Sequence, residues 1–306
     1  MLSRVASNIY WLGRYLERAE NTARIMNVNS NLLLDLPKDI RLGWEPILEI
    51  LSSTDTFKLK YEEANEANIT SFLIADTSNP SSIINSLYHA RENARTIREI
   101  IPREAWEQIN SLYLIAKDGQ ASALNRRHRY NYLNKIILSN QAITGILAGT
   151  MTQDEGYEFL RLGRNLERAD MTTRIIDVRS ASLLPDIEDR QSPFENIQWM
   201  SVLKSLTGYQ MYRREVRLRV KRQDVLRFLF LNLKFPRALN HTLQQVKECL
   251  TDLPNGENVI SSLESVRAKL ESGEPEKLDQ EALHVFIDDI QLGLSKVHDK
   301  TSSTYF

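Results

Sequence analysis

Residues 12–28 and 162–178 are one amphipathic segment written twice. Leu12, Gly13, Arg14, Leu16, Glu17, Arg18, Ala19, Thr22, Arg24, Ile25 and Val28 all recur 150 residues later, eleven identities in 17 positions. Further along, Phe72-Leu73 and Pro80 match Phe228-Leu229 and Pro236 at an offset of 156. Two blocks in the same order at nearly the same offset are the mark of an internal duplication. The chain is therefore expected to hold two helical repeats, 1–150 and 151–306. A long amphipathic helix needs a partner, so the halves are expected to pack as one globular unit about a pseudo-two-fold axis. The Thr152-x-x-Glu155 pair has capping-box spacing and is expected to open the first helix of the second repeat.

The rest of the sequence agrees with an all-α fold, a duplicated multi-helix bundle. Glycines number 11 and prolines 9 in 306 residues. No run alternates as a strand would, and the Pro254-Asn255-Gly256 fragment lies between helical patterns as a connector. Periodicity and breakers predict helices over 3–35, 43–53, 61–75, 81–101, 103–118, 125–150, 153–184, 194–220, 222–232, 236–252, 257–272 and 276–300.

On a helical wheel Val5, Ile9, Leu12, Leu16, Ala19, Ala23 and Met26 form one apolar stripe. Arg14, Glu17, Arg18 and Asn21 gather opposite, with Arg24 beside them, about one turn from Glu20 and two from Glu17. The second copy sets Phe159, Leu162, Leu166, Ala169 and Ile176 against Arg164, Glu167, Arg168 and Arg174 in the same way. The polar stripe is either a solvated face with i,i+3 and i,i+4 pairs or a partly buried charged cluster between helices. Between the copies Tyr15 becomes Asn165, Asn21 becomes Met171 and Asn27 becomes Asp177, while Arg-x-x-Glu-Arg stays. Arginine retained where lysine would serve on an open surface favours the buried cluster, since its fork suits carboxylates and phosphates. In the first half, Ile83, Leu87, Ala90, Ala94, Ile97 and Ile101 form another stripe. Arg91, Arg95 and Arg98 line an adjacent side, with Glu92 and Asn93 placed elsewhere. Three such arginines call for an anion, either Glu17, Glu167 or Glu104, or a ligand. The second copy departs here, with Lys247, Glu248 and Thr251, so a site on this helix would be asymmetric.

Composition narrows the function. Lys+Arg 39 against Asp+Glu 40 leaves a formal charge of -1, which gives no global pull toward nucleic acid or an anionic membrane. The basic runs Arg213–Arg222 and Arg126–Arg129 lack a nucleic-acid-binding motif and are expected to be solvated faces or docking surfaces. Cys249 is the single cysteine, which rules out an intrachain disulfide and fits a reducing compartment; it is expected in the core. No secretory signal or apolar run of spanning length is seen, so a cytoplasmic protein that does not cross a membrane is expected. The nucleotide-loop, zincin and nucleophile-elbow patterns are missing from the sequence. Glu281-x-x-His284 has di-iron spacing, but no second Glu-x-x-His exists to complete such a site. No metal or cofactor is expected, and His284 is expected to be a satisfied or surface histidine.

The strings from Trp11 to Arg24 and from Leu162 to Arg174 closely resemble the bacterial alpha-E family, a helical domain carrying a Glu-Arg motif. The resemblance continues through Asn79–Ser82, Ala90–Arg95, Trp106-Glu107, Tyr212–Arg214, Phe228-Leu229 and Phe235–Arg237, and weakens after about residue 255. Genes of that family typically lie beside circularly permuted ATP-grasp ligases and transglutaminase-like proteases. The resemblance therefore implies a helical component of a peptide or amide-bond-modifying system. In that role Arg14, Arg18, Arg24, Arg91, Asn93, Arg95, Arg164, Arg168, Arg174, Tyr212 and Arg213 are the candidate ligand-binding residues, for carboxylate or phosphate groups of a peptide substrate. Glu17 and Glu167 would orient the guanidiniums and, if burial raised their pKa, accept protons. The alternatives are an autonomous metal-independent enzyme acting on a peptide and a scaffold whose charges only specify packing.

Overall fold

The computed structural model describes residues 1–35, 43–181, 193–216 and 219–306, and among them finds fourteen helices and no strand. The helices are α1 (Ser3–Asp35), α2 (Glu45–Ile50), α3 (Thr54–Lys58), α4 (Glu66–Ile74), α5 (Ile83–Thr96), α6 (Arg103–Ala123), α7 (Arg126–Thr150) and α8 (Glu155–Ala181). They are followed by α9 (Pro193–Ser205), α10 (Tyr209–Val216), α11 (Arg222–Leu231), α12 (Leu239–Asp252), α13 (Glu257–Ser272) and α14 (Gln280–Tyr305). The fold class is all-α, as the helical periodicity predicts. Two compact units make up the chain, Met1–Glu167 with Tyr305–Phe306, and Arg168–Thr304.

In the first unit α1 packs along α5 and α7, α5 on α6, and α6 on α7. The expected stripe of α1 is its core face, with Ile9, Leu12, Leu16, Ala19, Ala23 and Met26 all buried and only Val5 half-exposed. The stripe of α5 is buried likewise, through Ile97 and Ile101 just beyond its end. Caps come from the local sequence: Asn65 accepts from Asn68 N at 2.9 Å, Ser82 from Asn85 N at 3.2 Å and Asn125 from Arg127 N at 2.9 Å. In the second unit α12 packs on α13, and α11 on α9, α10, α12 and α13. Cys249 lies in that core.

Four expected boundaries are corrected. Asp154, not Thr152, caps α8, its carboxylate accepting from Gly156 N at 2.9 Å, because it stands immediately before the first helical residue. The helix expected over 61–75 begins only after the Asn65 cap. The one expected over 81–101 stops at Thr96, so Arg98 does not share the face of Arg91 and Arg95. The helix expected over 194–220 breaks after Ser205, where Thr207 takes a left-handed φ of 55°. Gly208 follows, and a Cβ there would stand 3.0 Å from the Phe235 ring, so packing holds the break in place. The expected end of α8 at 184 lies outside the described residues.

Contacts inside one unit recur inside the other. Thr22 Oγ1 donates to the Ser81 carbonyl at 3.4 Å, and Thr172 Oγ1 to the Arg237 carbonyl at 3.2 Å, in each case the residue after the matched proline. Asp76 accepts from Ser78 N at 2.9 Å, and Asn232, 156 residues on, from Lys234 N at 2.7 Å. Ala105, Ile109, Leu112 and Ala116 are the buried face of α6, and Val259, Leu263, Val266 and Leu270, each 154 residues later, that of α13. A Cβ on Gly119 would overlap the Tyr132 ring, and one on Gly273 would overlap the ring of Phe286, again at an offset of 154.

Candidate functional site

Within the first unit α1 crosses the start of α8 at two glycines. A Cβ on Gly13 would overlap the Leu160 carbonyl oxygen, and one on Gly163 would overlap that of Tyr10. Both obstacles are backbone, so neither helix can admit a side chain without moving apart. The positions beyond the glycines inherit that closeness. Arg14 and Arg18 follow Gly13 on α1, Glu167 follows Gly163 by one turn on α8, and the three side chains meet.

The Glu167 carboxylate is fully engaged. Arg14 Nε donates to Oε2 at 2.7 Å, Arg18 Nε to Oε1 at 2.6 Å and Arg18 Nη2 to Oε2 at 2.9 Å. The Glu167 side chain is 3% exposed, those of Arg14 and Arg18 12% and 17%, so the cluster is shaded from water rather than spread on a solvated face. Arg14 Nη1 also donates to the Tyr10 hydroxyl at 3.3 Å. Aromatic faces back the cations: the Arg14 guanidinium lies 5.3 Å from the Trp11 ring and that of Arg18 5.5 Å from Tyr15, which stacks on His89. Burial alone raises the Glu167 pKa, but the charges of Arg18 and Arg14 and their hydrogen bonds outweigh it and hold the carboxyl at about 2. The condition under which Glu167 would accept protons, a pKa raised by burial, is therefore not met. Burial pushes the Tyr10 hydroxyl up, against the opposing pull of Arg14.

The other sequence candidates have contacts of their own. Glu17 is buried and accepts from Asn21 Nδ2 at 3.3 Å. Arg24 is buried against Glu20, its own helix neighbour, at 2.7 Å, and Arg174 repeats the arrangement with Asp170 at 2.8 Å. Arg164 is half-buried at the crossing. Arg168 is half-buried in the second unit, with Nη1 3.5 Å from the Pro236 carbonyl. Arg91 and Arg95 find their anion in Glu92, at 2.8 and 2.9 Å, with Arg91 Nε also donating to Asn110 at 2.7 Å. This corrects the placing of Glu92 away from the arginines: its side chain is long enough to reach both along the helix. Asn93 is half-buried on α5. Lys247, 156 residues after Arg91, pairs with Glu264 at 2.9 Å instead. Tyr212 is buried edge-on to Phe228, while Arg213 is exposed.

Two inward arginines were hidden in the basic runs. Arg129 is buried, donates to the Ala123 and Leu124 carbonyls at the end of α6 and pairs with Glu66 at 2.7 Å. Arg222 donates to the carbonyls of Leu278 and Asp279 at 2.6 and 3.1 Å. Each run thus spends its last arginine on internal carbonyls, a role that charge density alone does not reveal.

An all-α protein whose long helices cross at paired glycines beside an Arg–Glu clamp is the class defined here. The family model described as a predicted alpha-helical domain with a conserved ER motif, Alpha-E, matches residues 1–306, and the chain belongs to that family. It carries Glu-Arg twice, at Glu17-Arg18 and Glu167-Arg168. Uncharacterised proteins of Mycobacterium bovis and Mycobacterium tuberculosis are similar at 20% identity over 302 residues, covering 90% of this chain and 33% of theirs. The chain therefore spans about a third of the length of these relatives. No solved structure matches it. No helix among the described residues is long and apolar enough to cross a membrane.

Proposed function

We propose that the chain is a helical accessory module of a cytoplasmic peptide or amide-bond-forming system, acting beside a separate ATP-grasp ligase, with a transglutaminase-like protease in the same system. In this role the Arg/Glu motif fixes a helix crossing and the chemistry belongs to the partner. The observation that carries the proposal is the closed clamp: the carboxylate that Arg14 and Arg18 hold is the chain's own Glu167, buried and fully hydrogen-bonded. A carboxyl held at about 2 is too weak a base for proton abstraction at neutral pH, which counts against an autonomous acid/base enzyme. The relatives, which run to about three times the matched length, support a module that works with other domains. The contacts that recur in both units support a tandem of two copies of one helical unit.

The test is to mix the purified chain with the ATP-grasp ligase of the same genome and follow elution with light scattering and substrate peptides by mass spectrometry. The expected result is a stoichiometric complex, with no mass change produced by the chain alone. Separate elution at micromolar concentration, or a peptide modified by the chain alone, would overturn the proposal.

A further inference from the structure

Asp177, His284 and Asp288 come together inside the second unit. Asp177 lies near the end of α8, while His284 and Asp288 sit one turn apart on α14, on the same face. Asp177 Oδ1 is 2.8 Å from His284 Nδ1, and Asp288 Oδ2 is 3.7 Å from Nε2 of the same ring. One ligand atom from each of the three residues lies within 4.8 Å of the other two. Asp177 is buried; His284 and Asp288 are exposed.

The two carboxylates differ in what they do to the imidazole. A hydrogen bond from Nδ1–H to Asp177 holds the proton on that nitrogen, so that in the neutral ring the lone pair is on Nε2. Asp288 stands beside that lone pair, too far for a direct hydrogen bond. The separation does suit a shared cation. Ligand atoms each roughly 2.1 Å from zinc and 3.7 Å apart subtend about 120°, close to a tetrahedral opening. A carboxylate backing an imidazole whose other nitrogen binds metal is a recurrent outer-shell arrangement.

The repeat makes the set more telling. The positions 150 residues before Asp177 and 154 before His284 and Asp288 hold Asn27, Tyr130 and Asn134. All three differ together from the metal-ligand types found in the second unit. We propose that His284 Nε2 and Asp288 bind a divalent transition-metal ion of the zinc class, with Asp177 as the outer carboxylate that orients the ring. Imidazole selects such an ion over magnesium or calcium, and two protein ligands leave coordination positions open to water or an incoming carboxylate.

The experiment is calorimetric titration of zinc chloride into the chelator-stripped full chain, with circular dichroism as the check on folding. The expected result is one ion per chain, lost in His284→Ala and Asp288→Ala and weakened about 10- to 100-fold in Asp177→Asn. Magnesium chloride is expected to give no binding. No zinc binding by the unaltered chain, or the same binding in folded His284→Ala, would overturn the site and leave an ion-pair network only. Undiminished affinity in Asp177→Asn would overturn the role given to that carboxylate.

Discussion

Arg18 and Glu167 meet as a two-pronged pair, Nε to Oε1 at 2.6 Å and Nη2 to Oε2 at 2.9 Å, in a site closed to water on the carboxylate side. A lysine offers a point charge in place of that planar fork. Arg18→Lys is expected to lower stability by about 1–2 kcal/mol in urea unfolding. Arg95→Lys serves as the contrast. Its side chain is 56% exposed, and the change is expected to stay within about 0.5 kcal/mol. Equal losses at the two positions would contradict the difference in burial.

Stability should fall in acid through Glu167. Its pKa in the folded chain, about 2, lies below the ordinary 4.5, so the carboxylate stabilises the fold fully above the ordinary value. That contribution drains away as the pH drops from 4.5 toward 2, a loss of roughly 3 kcal/mol by linkage. Urea midpoints measured across this window should fall more steeply for the unaltered chain than for Glu167→Gln. Parallel profiles would show that Glu167 does not titrate as the clamp requires.

Gly13 and Gly163 differ in kind from Gly145. Gly13 and Gly163 face backbone carbonyls, and Gly13→Ala or Gly163→Ala should cost about 2 kcal/mol or more, because the two helices must separate. Gly145 lies within α7 with nothing near the place of its missing Cβ. Gly145→Ala should therefore stabilise by roughly 0.5–1 kcal/mol through helix propensity. Thermal melts of the three variants check both signs.

Much of the fold was legible because it rests on local chemistry. Apolar residues at helical spacing turned out to be the buried faces of α1, α5 and α8, and the retained Arg-x-x-Glu-Arg set supplied Arg14, Arg18 and Glu167 of a shaded cluster. The partners of individual charges were not legible. Glu92 satisfies Arg91 and Arg95 by rotamer reach, and Glu167 is shared by two arginines because a glycine crossing brings the helices close. His284 finds Asp177 across 107 residues of sequence, so no local pattern links them. The later helices repeat contacts without repeating residues. Tyr132 and Phe286 occupy matching places against Gly119 and Gly273, where shape is kept and identity is not.

The most direct test of the closed clamp is a double-mutant cycle on Arg18→Met and Glu167→Gln, read by equilibrium urea unfolding. Glu167→Gln alone should cost about 3–5 kcal/mol, since it leaves two shaded guanidiniums without their anion. The pair should be non-additive by about 2 kcal/mol. Single losses under about 0.5 kcal/mol that simply add would contradict the account and return these side chains to an open, solvated face.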